Sequence, residues 1–224
     1  MKAFGKTVGK TVVFCLVMML MCSFVYPLAL TGVSQLTMKA KADGSKVDKD
    51  GNLTTDTKEA VGSALIGQDF TEDCYFQGRV SAVNYNTYTE EQKESGEYAG
   101  VASGSYNYAN SNPELKERME KDLEQFLKEH PGVKAEDVPA ELLTASGSGL
   151  DPHISPESAE VQIPTVAKNS GLSEEEVKKI VEENTEKKTL GVFGEERVNV
   201  LGCNLDIAAA MGKIGGCFDR GKQT

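Results

Sequence analysis

A run of nineteen residues without a charged side chain, from Val12 to Leu30, limits what this chain can fold into. At about 1.5 Å per residue, an α-helix of that length spans roughly 28 Å, close to the hydrocarbon thickness of a bilayer. A helix satisfies its own backbone hydrogen bonds, so it can lie in lipid. Lys2, Lys6 and Lys10 precede the run and no acidic residue does, a bias that keeps this end in the cytoplasm. The sequence therefore predicts one transmembrane helix with everything after it outside the cell membrane.

The alternative is a cleaved signal peptide, whose apolar core is usually about 7–15 residues long and precedes a site of small residues. The run here is longer, and Thr31 to Gln35 form only a weak cleavage site. Met21 stands before Cys22, where a lipidation site needs a small residue. We therefore predict four segments: a cytoplasmic N-terminus at 1–11, a retained helix at 12–33, a linker at 34–58 and an extracytoplasmic domain at 59–224.

The charge of the part predicted to lie outside excludes one class of partner. The chain has a formal net charge of −10, and the first 33 residues contribute +3, so the remainder carries −13. Nucleic-acid binding needs a basic surface, and this part of the chain is acidic. Acidity of this kind generally serves solubility.

Five cysteines provide no clear framework for disulfides or metal. Cys15 and Cys22 lie in the apolar run, where they read as small apolar side chains. Cys74, Cys203 and Cys217 remain, an odd number without C-x-x-C spacing, so neither a disulfide framework nor a zinc site is indicated. A single bridge between Cys203 and Cys217 stays open.

The outer part shows helix and strand signals in alternation, which predicts an α+β domain of helices and short strands. Short strands are expected in 60–80, a long loop in 84–111, and a strand from Arg197 to Leu205, with a helix to about Met211. Three helix starts carry capping signals, at Asn112-Pro113, Ser155-Pro156 and Leu172-Ser173 with Glu176. Pro139 to Ala145 suits a short helical turn.

Two sequences come close to known chemical motifs without matching them. Asp48 to Asn52 begins like a calcium-binding loop, but Leu53 stands where that loop needs glycine, and it also departs from the D-K-T-G-T motif of P-type ATPases. A surface turn is favoured.

A second sequence has the side chains of a hydrolase triad: Ser146, Ser148, Asp151 and His153. These residues lie within eight positions of one another and do not form the nucleophile elbow. Turn-forming roles are favoured for them as well.

Several short motifs stand in an order that points to one family. They are Gly62-Ser63-Ala64-Leu65-Ile66-Gly67-Gln68, Tyr75-Phe76-x-Gly78-Arg79-x-Ser81-Ala82, Ala102-Ser103-Gly104-Ser105, Ser111-Asn112-Pro113, Thr144 to Asp151 (TASGSGLD), Ile154-Ser155-Pro156, Gln162-Ile163-Pro164 and Arg197-Val198-Asn199-Val200-Leu201. Following a single N-terminal span, this series resembles the KdpC subunit of the bacterial potassium-transporting P-type ATPase, the Kdp complex. The likeness covers the chain from the span to about Leu205. It departs from the family at Val80, where proline is common, at Tyr106 and Tyr108, and in the tail beyond Asp206.

The resemblance implies an accessory subunit that is not itself an enzyme. Its partners would be a channel-like potassium-translocating subunit, a P-type ATPase subunit and a very small stabilising subunit, in the bacterial cell membrane. ATP and K⁺ would be handled by those partners, with no cofactor held directly by this chain. The family is also described as a catalytic chaperone that raises the nucleotide affinity of the ATPase subunit. With the domain outside, such an effect would be indirect.

The contact region with these partners is expected in the loops rich in glycine, serine and asparagine. The candidates for it are Gln68, Arg79, Asn107, Asn112, Ser146, Ser148 and Asp151. A local capping or turn role is an equal alternative for each, and for Asn112 it is the stronger one.

Two other functions stay open from the residues alone. One is a membrane-anchored, extracytoplasmic module that binds a small solute or a cell-wall ligand. The other is the hydrolase considered above, which a loss of activity on Ser148→Ala would favour.

Overall fold

The structure is a computed structural model that describes residues 2–87, 92, 94, 95 and 101–212. The chain divides into two compact units, Met1–Ser45 and Lys46–Thr224. Tyr88, Tyr98 and Cys217, which entered the sequence predictions, lie outside the described residues.

The first unit is helical almost throughout. Helix α1 covers Lys2–Leu20, a π-helical turn covers Met21–Val25, α2 covers Tyr26–Thr37 and a short α3 covers Lys39–Ala42. In the π turn the Tyr26 N–H donates to the carbonyl of Met21, five residues back. This wider turn comes directly before Pro27, whose ring nitrogen has no hydrogen to donate to the preceding turn.

One stretch of this unit, Phe4–Thr37, is long and apolar enough to cross a membrane. Its large apolar side chains are exposed within the structure, as the lipid-facing side chains of a membrane helix would be. The predicted fold class, one long apolar helix followed by a mixed helix and short-strand domain, is confirmed. The predicted segment boundaries and the side of the membrane on which each end lies stay predictions.

The second unit contains five short strands and six helices among the residues described. The strands are β1 Lys46–Asp48, β2 Ala60–Ser63, β3 His153–Ile154, β4 Thr185–Glu186 and β5 Arg197–Asn199. The helices are α4 Pro113–Glu129, α5 Ala140–Leu143, α6 Pro156–Glu160, α7 Ile163–Ser170, α8 Glu174–Glu183 and α9 Val200–Ala210. Single 3-10 turns cover Asn84–Asn86 and Ala135–Asp137.

The strands form two small antiparallel sheets. β1 pairs with β2, and β5 lies between β3 and β4. The predicted surface turn at Asp48 is present: its carboxylate accepts from the backbone N–H groups of Asp50 and Asn52, both at 2.9 Å. The short strands expected in 60–80 are represented by β2 and by an isolated bridge from Val80 to Ala145.

The three predicted helix starts are confirmed by their capping bonds. The Asn112 side chain accepts from the Glu114 N–H at 2.9 Å, and Ser155 accepts from Ser158 at 3.1 Å. Ser173 and Glu176 form the reciprocal capping box at the start of α8. These bonds satisfy backbone donors that have no partner within the first turn of a helix.

The predicted strand from Arg197 to Leu205 is wrong beyond Asn199. The Asn199 side chain accepts from the Gly202 N–H at 2.9 Å and starts helix α9. This helix is buried on most of its surface, so its sequence has no polar face and no 3.6-residue pattern to reveal it. Its Asn204 is fully buried.

The main core lies where α7, α8 and α9 pack against β3 and β5. Its fully buried members include Phe76, Ile154, Val166, Val177 and Ile207. Cys203 also lies in this core, and burial raises the pKa of its thiol, so it is an inert apolar group rather than a reactive one.

Candidate functional site

Four loop segments of the second unit meet through three backbone hydrogen bonds. The Gly67 N–H donates to the Leu150 carbonyl at 2.9 Å, the Gly104 N–H to Ser148 at 2.8 Å, and the Ser146 N–H to Val80 at 3.2 Å. We call the resulting surface the loop cluster, defined as Gly67, Gly78–Asn86, Ala102–Gly104 and Ser146–Asp151. Segments far apart in the sequence therefore form one surface.

Ser81 joins two parts of the loop cluster. Its hydroxyl donates to the Gly149 carbonyl at 2.6 Å and accepts from the backbone N–H groups of Val83 and Tyr85 at 3.2 and 2.9 Å. One small side chain thus fixes both the turn at 83–86 and the Ser146–Asp151 loop.

Glycine is required where these loops touch. A Cβ on Gly67 would lie 2.5 Å from the Asp151 carbonyl oxygen, well inside contact distance. Gly149 has φ +68°, and a Cβ there would lie 2.8 Å from the Gly104 carbonyl oxygen. Positive φ and close backbone approach are both conditions that favour glycine over any other residue.

Tyr85 packs into the cluster in an unusual backbone conformation, with φ 49°. Its hydroxyl donates to the carbonyl of Arg79 at 2.5 Å. Burial, together with the nearby Asp151 and Asp69 carboxylates, raises the pKa of Tyr85 to about 12. The ring therefore stays neutral and holds the backbone that carries the Arg79 side chain.

Arg79 and Asp151 form a half-buried ion pair at the edge of the loop cluster, with 3.2 Å between Nη1 and Oδ2. The other oxygen of Asp151 accepts from the His153 N–H at 3.0 Å. Burial and the charge of Arg197 lower the pKa of His153, so its ring is neutral at physiological pH. The pair borders an open cleft of about 620 Å³ whose other side is formed by Lys188, Glu195, Glu196 and Arg197.

Two buried amides position the segment that leads to Arg79. Asn204 exchanges two hydrogen bonds with the backbone of Phe76, and Gln162 accepts from the Gln77 N–H at 2.8 Å and donates to the Gln77 carbonyl at 3.3 Å. Both side chains are fully buried. Sequence reasoning missed these residues as supports because a lone asparagine or glutamine carries no signal of what it will bind.

The structure brings four of the seven predicted contact residues together. Arg79, Ser146, Ser148 and Asp151 all belong to the loop cluster. Gln68 follows Gly67 in the chain, but its side chain turns away to donate to the Val61 carbonyl at 3.1 Å.

The other two predicted contact residues lie beside the start of α4. Asn112 caps that helix. Asn107 is exposed, with φ 54°, between Tyr106 and Tyr108, whose rings stack at 5.3 Å. The Arg118 guanidinium lies over the Tyr106 ring at 5.4 Å, which fixes this aromatic pair to α4.

The serine hydroxyls of the possible hydrolase site accept hydrogen bonds from backbone N–H groups nearby in the sequence. The buried Ser146 hydroxyl accepts from the Gly149 N–H at 2.8 Å, and the Ser148 hydroxyl accepts from the Leu150 N–H at 3.1 Å. His153 faces Asp151 and Arg197 instead. The arrangement supports turn formation for both serines. Within residues 2–87, 92, 94–95 and 101–212, no group of three His, Cys, Asp or Glu side chains could hold a metal ion.

Comparison with known proteins gives a consistent result along the chain. Residues 8–209 match the family described as KdpC: K+-transporting ATPase, c chain. The potassium-transporting ATPase KdpC subunit of Clostridium kluyveri is 54% identical over 212 residues, which cover 95% of this chain and 98% of that protein. The KdpC subunit of Clostridioides difficile is 52% identical over 93% of this chain and 100% of its own length, and that of Caldanaerobacter subterraneus is 46% identical over 91% and 95%. The chain therefore belongs to the KdpC family, the c chain of the K+-transporting ATPase.

Proposed function

We propose that this chain is an accessory, non-catalytic subunit of the high-affinity, ATP-driven potassium uptake complex. The single observation that carries this proposal is the family match over residues 8–209, together with relatives of nearly the same length that are named as KdpC subunits. The long apolar helix supports an anchoring role in the cell membrane. The lysines before it support a cytoplasmic N-terminus and an extracytoplasmic domain.

The partners in this proposal are the potassium-translocating, channel-like subunit, the P-type ATPase subunit and the small stabilising subunit. The domain docks onto the outer face of the potassium-translocating subunit through the loop cluster. Exposed Ser148 and the half-buried pair of Arg79 and Asp151 supply polar contacts there. Hydrogen bonds between the backbones of its segments hold the loop cluster in place, so binding costs little conformational entropy, which supports this role.

A role as catalytic chaperone follows as an indirect effect. If the domain lies outside, it cannot touch ATP, so it raises the nucleotide affinity of the ATPase subunit by favouring one conformation of the assembled complex. Such coupling requires that the domain bind the two conformations with different affinities.

Co-purification of the complex tests the assembly role. The chain lacking residues 34–224, and full-length Ser148→Arg, are each expressed with the partner subunits, and recovery of the partners through a tag on this chain is measured. We expect both changes to reduce recovery at least tenfold. Glu124→Arg, on the exposed face of α4, is the matched control and should leave recovery unchanged. Full recovery with the deleted chain would contradict the proposal.

A second candidate function is an anchored module for a small extracytoplasmic solute or a cell-wall ligand. The open, charged cleft beside Arg79 is the observation that favours it. This function predicts saturable ligand binding by the full-length chain without its partners, and loss of that binding on Arg79→Ala. The first proposal predicts no such binding.

A further inference from the structure

The connection between β4 and β5 is an ordered hairpin. Thr189 and Phe193 exchange two backbone hydrogen bonds, at 2.8 and 3.0 Å, and the Val192 N–H donates to the Thr189 carbonyl at 3.2 Å. Lys188 pairs with Glu195 across the hairpin at 2.8 Å, and Glu186 pairs with Arg197. The hairpin therefore has a defined shape up to its end.

The end of this hairpin is apolar and exposed. Leu190, Val192 and Phe193, which we call the hairpin tip, are 86%, 75% and 65% exposed. Single exposed apolar side chains are common on proteins, but three large ones on one projecting turn are typical of a surface that another molecule covers. The patch includes an aromatic side chain, Phe193, and large aromatic side chains are among those enriched at protein interfaces.

Leu190 has a second unusual property. Its φ is 55°, and Gly191 after it has φ 73°, as in the tight hairpin turns that favour asparagine or glycine at both central positions. A leucine in this conformation is strained, and because its side chain is exposed it contributes little packing to its own domain. The residue makes physical sense if its side chain contributes to a contact outside this chain.

The charges around the tip indicate the chemistry of that contact. The base of the hairpin is neutralised by its own ion pairs. The charged side chains that line the adjoining cleft are five acidic ones, Glu141, Asp151, Glu157, Glu195 and Glu196, and three basic ones, Arg79, Lys188 and Arg197, so the cleft is acidic on balance. The chain beyond residue 33 carries a formal charge of −13. Anionic lipid headgroups would repel such a surface, whereas a protein pocket with basic side chains at its rim would attract it.

We infer that the hairpin tip inserts into an apolar pocket, edged by lysine or arginine side chains, on the outer face of the membrane-embedded potassium-translocating partner. This inference rests on the proposed function and adds to it a specific anchor, separate from the loop cluster. The loop cluster supplies polar contacts, and the hairpin tip supplies the apolar centre of the interface.

Substitution of the tip separates binding from folding. Leu190→Asn suits the positive φ, so the variant should be at least as resistant to urea as the natural chain. We nevertheless expect Leu190→Asn combined with Phe193→Thr to reduce recovery of the partner subunits at least tenfold. Leu53→Asn removes another half-exposed leucine, in the turn after β1, and should leave recovery unchanged. Unchanged recovery with the double variant would overturn the inference.

Photo-crosslinking in the assembled complex identifies what covers the tip. A benzophenone amino acid is placed at Phe193 or, as a control, at exposed Lys121 of α4. We expect an adduct between position 193 and the potassium-translocating subunit, and none from position 121. If the complex assembles but position 193 yields lipid adducts, adducts with a second copy of this chain or no adduct, the hairpin inference is wrong and the proposed function stands. If the partners do not co-purify even with the natural chain, the proposed function itself fails.

Discussion

The Asn204 side chain makes two hydrogen bonds to the backbone of Phe76, accepting from its N–H at 2.8 Å and donating to its carbonyl at 2.9 Å. The two residues are 128 positions apart, and both are fully buried. This pair of hydrogen bonds resembles the one that two residues exchange across adjacent β-strands, except that here a side-chain amide takes the place of one strand. It fixes the segment from Phe76 towards Arg79, and through it one edge of the loop cluster.

Removal of this side chain should destabilise the domain strongly. Asn204→Ala leaves a buried N–H and a buried carbonyl without partners, each worth about 1–3 kcal/mol, so we expect a loss of at least about 2 kcal/mol in the free energy of unfolding. Urea unfolding of the full-length chain in detergent, followed by circular dichroism, measures it. Asn169→Ala, on the surface of α7, should change it by less than about 0.5 kcal/mol. Equal effects of the two substitutions would contradict the account of Asn204.

The glycines of the Ser146–Asp151 loop provide a matched pair of substitutions. Gly149→Ala should cost about 2–4 kcal/mol of folding free energy, since it adds strain at φ +68° and a clash with Val83 and Gly104. Gly147→Ala meets no atom within 4 Å and should change stability by less than about 1 kcal/mol. Urea unfolding compares the two. A larger loss for Gly147→Ala would show that the loop packs differently.

Tyr85 should make stability depend on pH in the alkaline range. Its pKa rises from an ordinary value of about 10 to about 12 in the folded chain, so the folded state holds the phenol proton more tightly than the unfolded state. The stabilisation is complete below pH 10 and is lost as the pH rises through 12. We expect Tyr85→Phe to be less stable than the natural chain at pH 8, because phenylalanine cannot make the hydrogen bond to the Arg79 carbonyl. Between pH 10 and 12 the variant should lose less stability than the natural chain, because it has no phenol to ionise. Parallel curves for the two proteins would contradict this role for Tyr85.

The orientation of the chain can be tested by cysteine labelling in intact cells. In a Cys217→Ser background, Lys121→Cys on the exposed face of α4 should react with a membrane-impermeant maleimide without permeabilisation. Lys6→Cys, before the apolar run, should react only after permeabilisation. Cys203 should not interfere, because it is buried and its pKa is raised. The reverse pattern would place the domain in the cytoplasm and remove the argument for indirect coupling to ATP.

The parts of the fold that sequence reasoning predicted correctly depend on local chemistry. Two helix starts illustrate this: Asn112 caps one helix, with Pro113 after it, and Ser173 caps another together with Glu176. Each capping hydrogen bond joins residues at most three positions apart, so the residues that predict the helix start are the ones that form it. The first half of helix α9, residues 200–205, is wrongly predicted as strand because packing on most of its surface replaces the amphipathic pattern that reveals a surface helix, whereas the helix expected after Asp206 is present as far as Ala210.

The sequence predicts which loops make up the candidate site, but only part of how they are arranged in space. The glycine- and serine-rich loops were identified from sequence, but their meeting depends on contacts such as Arg79 with Asp151, 72 residues apart. Asn112 was expected to act more as a cap than as a contact, and it does cap α4. The supports Asn204 and Gln162, and the exposed tip at Leu190, follow from tertiary structure and have no local signature.

Potassium-stimulated ATP hydrolysis by the complex, measured across a range of ATP concentrations, tests the central claim most directly. Complexes assembled with the natural chain are compared with complexes that contain the chain lacking residues 34–224. The account predicts that the deletion abolishes the potassium-stimulated rate, or raises the ATP concentration that gives half of the maximal rate. Identical curves for the two complexes would contradict a role for the domain in the pump.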